Sequence, residues 1–135
     1  MSCLLGLASL PAKGQTGPAG AYGRRPRTQE VWIRTELYFG TNRPGGEVSD
    51  EEFAGFVDRE VTKRFPDGLT LLTGYGQFLN SQGVLIRERS KVLILFYPLQ
   101  TEGATARIQE IREAYKTAFQ QESVLKVESY AYVSF

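Results

Sequence analysis

From Val31 to Phe39 the chain alternates without a break. Val31, Ile33, Thr35, Leu37 and Phe39 fall on one side, and Trp32, Arg34, Glu36 and Tyr38 on the other. Successive side chains of a strand point to opposite faces, so this period predicts a β-strand with one face on a core. A helix would scatter the same residues around its axis. The period returns between Ser123 and Phe135. Leu125, Val127, Ala131, Val133 and Phe135 share one side there, and Lys126, Glu128, Tyr130 and Tyr132 the other. The apolar set is predicted to face the core in both strands.

Between these strands the pattern changes twice to a helical period. Ser49 with Glu52 three residues on is a capping box, and Asp50, Glu51 and Glu52 suit the positive end of a helix. Loss of the Ser49 hydroxyl should cost about 1 kcal/mol. Phe53, Phe56, Val57 and Val61 make one apolar stripe. Pro66 ends the helix because it pushes Phe65 out of the helical region. A second helix is predicted over Thr101 to Gln120, with Ala104, Ile108, Ile111, Tyr115, Ala118 and Phe119 on one stripe.

The segment between the helices reads as a hairpin. Pro66-Asp67-Gly68 is a turn, and a strand starts at Leu69. Gly74 and Gly76 within it predict a bulge or a close backbone approach. Asn80 to Gly83 is the hairpin loop, Arg87 to Ser90 interrupts the returning strand, and Val92 to Tyr97 is continuously apolar. Such a run predicts a central strand covered on both faces.

The order is therefore β-α-β-β-α-β over residues 31–135, a single α+β domain. It predicts the ferredoxin-like arrangement, a four-stranded antiparallel sheet with two helices on one face. The first strand would lie between the third and fourth. Arg34 and Glu36 would then face Lys126 and Glu128 on the helix-free side, each pair contributing about 0.2–1 kcal/mol. Trp32, Tyr38, Tyr130 and Tyr132 would surround them, with Gln77, Glu88 and Lys91 supplied by the hairpin. This mixed aromatic and charged face is the candidate binding surface. Exposed aromatics mark association more often than catalysis, so a plain solvated face and a homodimer through this face both rank above a ligand site.

Residues 1–30 are Gly-, Ala- and Pro-rich and predict a disordered tail. Leu4 to Leu10 is too short to span a bilayer. It fits the remnant of a secretory segment, with Ala19-Gly20-Ala21 as a cleavage site. With a start upstream of Met1, Ser2-Cys3 would fit a lipoprotein signal with Cys3 as the lipidated residue. A lipid anchor is the one membrane attachment expected.

Composition narrows the chemistry. Lys plus Arg number 16 and Asp plus Glu 15, so no global positive field favours nucleic acid. The absence of histidine removes Ser-His and Cys-His machinery. One cysteine leaves no intrachain disulfide and no multi-cysteine zinc site. No metal site and no cofactor are expected. Leu37 to Asn42 is similar to the first-strand motif of RNA-recognition domains, but the second motif fails. In "RSKVLILF" Ser90 replaces a glycine, and Lys91 and Leu93 stand where stacking aromatics belong. Glu36 and Glu128 would also repel phosphates. "TGYGQF" lacks the remaining glycine or Gly-Lys-Ser/Thr of a phosphate loop. The charge-dense "RERSK" reads as a solvated strand end. The expectation is a non-enzymatic binding or interaction module. The alternative is a histidine-free enzyme using Glu36, Glu88, Lys91 or Tyr38 for acid-base work.

Four long phrases, "WIRTELYFG", "FVDREVTKRFPDGLTLLTGYGQF", "RERSKVLILFYP" and "AYKTAFQQESVLKV...VSF", together resemble the bacterial family known as domain of unknown function 3574. The resemblance runs from about Val31 to Phe135. It implies an N-terminal signal or lipoprotein peptide and a place in the cell envelope or outside the cell, with the cytoplasm as the alternative. It brings no activity and no catalytic residue. Phe78 departs from the tryptophan that the resemblance implies there.

Overall fold

The computed structural model describes residues 28–135. The expected tail lies outside them up to residue 27, and with it Cys3. Strand β1 is Glu30–Gly40, followed by a two-residue pair of strands, β2 (Asn42–Arg43) and β3 (Gly46–Glu47). Helix α1 is Asp50–Phe56 and runs into a π-helical segment, Val57–Thr62. Strands β4 (Thr70–Leu79) and β5 (Leu85–Pro98) form the hairpin. Helix α2 (Ala104–Phe119) and strand β6 (Leu125–Val133) complete the order. The fold is α+β: a four-stranded antiparallel sheet in the order β4-β5-β1-β6, with two helices.

The capping box forms as the sequence requires. Ser49 Oγ accepts from Glu52 N at 3.1 Å, and Glu52 Oε2 accepts from Ser49 N at 2.9 Å. Val57 and Val61, four apart in the π-helical segment, are both buried in the core. Helix α2 begins at Ala104 rather than Thr101. Gly103 takes the left-handed conformation (φ 69°), and Thr101 N closes a turn on Pro98 O at 3.0 Å. Three residues after Pro98 are thus used in turning the chain.

The core lies between the sheet and the helices. Leu37 and Phe39 of β1 and Leu93 and Leu95 of β5 are fully buried under Phe53, Phe56, Ile108, Ile111 and Tyr115. Phe39 meets rings from both helices, Tyr115 at 4.6 Å and Phe53 at 5.5 Å between centroids. Tyr115 also donates to Gly40 O at 2.8 Å, tying α2 to the end of β1.

Three expectations are corrected. The hairpin has no bulge, since its register runs unshifted from Thr70 opposite Ile94 to Leu79 opposite Leu85. Nor does close approach call for the glycines: a Cβ on Gly74 would meet Ser90 Oγ at 3.4 Å, an ordinary contact, and one on Gly76 would meet nothing within 4 Å. Arg87 to Ser90 does not interrupt β5, because each residue finds a partner on β4. The Val92 to Tyr97 run is covered on one face only. Leu93, Leu95 and Tyr97 are buried, while Phe96 on the other face is 44% exposed.

The largest correction concerns β6. Arg34 lies opposite Ser129 and Glu36 opposite Val127, whereas Thr35 lies opposite Glu128 and Leu37 opposite Lys126. Directly opposed residues share a face, so Lys126, Glu128, Tyr130 and Tyr132 lie on the helix side. Leu125, Val127, Ala131 and Val133 lie on the open side. The helices leave this outer strand uncovered, as the 74% and 75% exposure of Tyr130 and Tyr132 shows. In a strand exposed on both faces, alternation alone does not say which set faces inward.

Candidate functional site

The open face of β1 carries a compact polar group. The Glu36 carboxylate accepts from Tyr38 Oη at 2.5 Å on one oxygen and pairs with Arg34 Nη2 at 2.7 Å on the other. Period-two spacing puts these three side chains in line. The hydrogen bond to Glu36, followed by partial burial, holds the Tyr38 phenol above its ordinary pKa. Tyr38 therefore keeps its proton through neutral pH. The Arg34 guanidinium lies 5.9 Å from the centre of the Phe96 ring, its partner in the β1–β5 register.

Beside this group is a trough of about 670 Å³. Its floor takes one or two residues from each long strand: Trp32, Ile94, Phe96, Thr70, Ala131 and Val133. The turn Asp67–Leu69 makes one rim, and Phe135 the other, with its ring 5.5 Å from Trp32. Ile94 lies opposite Glu36 in the strand register, so the carboxylate adjoins the apolar floor. Volumes of this order suit a small organic molecule, with an apolar wall and a few fixed polar groups.

Of the eleven predicted face residues, Trp32, Arg34, Glu36 and Tyr38 come together. The others go elsewhere. Lys126 pairs with Glu128 at 3.0 Å on the helix side, where Glu128 also accepts from Thr35 Oγ1 at 3.4 Å. Tyr130 and Tyr132 stand exposed on that side too. Lys91, 8% exposed, lies under α1, where it pairs with Asp50 at 2.7 Å and donates to Thr73 Oγ1 at 2.9 Å. Glu88 sits past the end of β1 and accepts from Asn42 N at 3.2 Å. Gln77 accepts from Arg87 Nε at 3.4 Å on the outer hairpin. Ile94, Phe96, Ala131 and Val133 are the residues the sequence reading missed. Their signal was present, because an apolar set on β6 could pack on the apolar set of β5 across β1.

Among the described residues, no group of three or more His, Cys, Asp and Glu side chains is placed to hold a metal ion. No described helix is long and apolar enough to cross a membrane.

The chain belongs to the family described as protein of unknown function (DUF3574), whose profile matches residues 34–135. No curated protein matches it. Two solved structures are similar in fold. One is a phage SAM lyase in complex with S-methyl-5'-thioadenosine, at 15% identity and a TM-score of 0.59, covering 77% of this chain and 90% of that one. The other is a phage SAM lyase in the apo state, at 16% identity and a TM-score of 0.56, covering 85% and 97%. The expectation of a non-enzymatic module is corrected to this extent: both of these similar solved structures are of an enzyme.

Proposed function

We propose that this chain is a small histidine-free enzyme with its chemistry on the open sheet face. The observation that carries the reading is the Glu36 carboxylate, held between Arg34 and Tyr38 beside the apolar trough. The trough takes a flat ring, and Glu36 takes or faces the charge that changes during reaction. Arg34 and Tyr38 fix its direction, and Tyr38 supplies a phenol that keeps its proton.

The names of the similar solved structures supply the substrate class, an S-adenosyl sulfonium compound. The chemistry is compatible with a site lacking histidine. When a C–S bond of a sulfonium breaks, its electron pair leaves on sulfur and gives a neutral thioether, which needs no acid to protonate it. In an elimination of this kind a C–H bond breaks as well, its pair becomes the new C=C bond, and a base takes the proton. In this reading Glu36, whose cross-strand neighbour Ile94 lines the trough, is that base.

The test is incubation of the purified full chain with S-adenosylmethionine, with nucleosides separated by chromatography. S-methyl-5'-thioadenosine should accumulate above the spontaneous background. Glu36→Gln should slow its release roughly 100-fold or more. The thioether should also raise the melting temperature of the wild-type chain. Absence of both the release and the thermal shift would sink this reading.

The order of the four long strands and the helices between them support the ferredoxin-like βαββαβ reading, with β2 and β3 as an insertion. A place in the cell envelope, with the cytoplasm as the alternative, is a further proposal from the family resemblance. Fractionation of the producing cells decides it.

A further inference from the structure

Strand β4 is an outer strand of the sheet, and nothing in its sequence protects it. Its ten residues, TLLTGYGQFL, include no Asp, Glu, Lys, Arg or Pro. Its register on β5 contains no bulge. Exposed edges are ordinarily blunted by charge, proline, a bulge or a covering element, because a free row of backbone donors and acceptors recruits other strands. The opposite edge, β6, carries Lys126 and Glu128. Large apolar side chains stand out along β4 on both faces: Leu71 at 40% exposure, Leu72 at 51%, Tyr75 at 86%, Phe78 at 52% and Leu79 at 68%.

We propose that β4 pairs antiparallel with β4 of a second copy, about a two-fold axis through Tyr75, making one eight-stranded sheet. The sequence is self-complementary about that residue. Leu72 would lie opposite Phe78 of the partner subunit, Leu71 opposite the partner's Leu79, Thr73 opposite the partner's Gln77, and Gly74 opposite the partner's Gly76. The pairs then match apolar with apolar, polar with polar and glycine with glycine, as cross-strand packing favours. Centring on Gly74 instead sets Leu72 against the partner's Gly76 and Leu71 against the partner's Gln77. Registers with an odd offset would oppose residues of different faces, which a two-fold normal to the sheet forbids. Arg89, opposite Tyr75 on β5, is already paired with Asp50 and, at 3.3 Å, with Glu47. Its charge does not oppose the contact. A C2 interface of this kind is isologous and closes on itself, so the second copy caps the edge rather than starting a filament.

The experiment uses the full chain with Cys3→Ser. Light scattering should give twice the 15.1 kDa chain mass. Adding Tyr75→Cys should give a disulfide-linked dimer on mild oxidation, because directly opposed residues lie within disulfide reach. Thr73→Cys in its place should not cross-link, since that residue meets Gln77 and not itself. Tyr75→Lys, at an exposed position that leaves the fold intact by circular dichroism, should halve the mass. A monomer at about 100 μM overturns the proposal. So does a dimer that survives Tyr75→Lys but is dissolved by Phe96→Lys, which would put the pairing on the open sheet face.

Discussion

At the scale of single residues, Tyr115 does most to join the layers. It is fully buried, meets Phe39, Phe56 and Phe119, and donates to Gly40 O at 2.8 Å. Burial, the largest cause, pushes its pKa well above the ordinary tyrosine value. Tyr115→Phe keeps the ring and leaves the carbonyl without this donor. It should cost roughly 1–3 kcal/mol, read from the urea midpoint at unchanged slope. A change below about 0.3 kcal/mol would mean that water replaces the hydroxyl. Ser49→Ala removes the acceptor for Glu52 N and should cost about 1 kcal/mol. Glu52 is also held by Arg43 at 2.8 and 2.9 Å, so part of its placement should outlast the change.

At the scale of elements, legibility followed burial. β1 and both helices could be read because each has one face under a packed layer, where period and burial coincide. The capping box was readable because its two hydrogen bonds are local. β6 misled for the opposite reason, since no helix covers it and both of its faces meet solvent. The same uncovered sheet side hid the trough: Phe96 and Ile94 read as interior, and Ala131 and Val133 were assigned to the wrong face. Glu36, Arg34 and Tyr38 were legible as a group because they belong to one strand. Lys91 was not, because only the α1 packing brings Asp50 to it. The face of β6 has a direct test. In a Cys3→Ser background, Glu36→Cys with Val127→Cys should cross-link, because these residues are opposed. Glu36→Cys with Glu128→Cys should not, because their side chains point to opposite faces. Efficient bonding in the second pair would restore the sequence expectation.

At the scale of the whole molecule, acid stability rests on carboxylates bound by cations and backbone donors. Hydrogen bonds from Lys91 and Arg89 hold Asp50 below its ordinary pKa. The Ser49 backbone and Arg43 do the same for Glu52, and Arg64 and Lys63 for Glu60. A carboxylate whose folded pKa is depressed contributes stability that is complete above the unfolded value and is lost as pH falls through the folded one. The urea midpoint should therefore be level from neutral pH down to the ordinary carboxylate range and decline below it. Salt should shrink the decline, since these pairs lie near the surface. A midpoint flat to pH 2 would refute this account.

The place of β1 in the sheet has a consequence for how the chain is made. Of the described strands it is the first to leave the ribosome, yet its two neighbours, β5 and β6, come from residues 85–98 and 125–133. Closing such distant pairings costs loop entropy before any contact forms, which slows folding. Until Leu125–Val133 has been synthesised, the edge of β1 that pairs with β6 remains open to other nascent chains. The molecule therefore commits to its sheet only once β6 has been made, and a ribosome stalled within α2 would hold an aggregation-prone form.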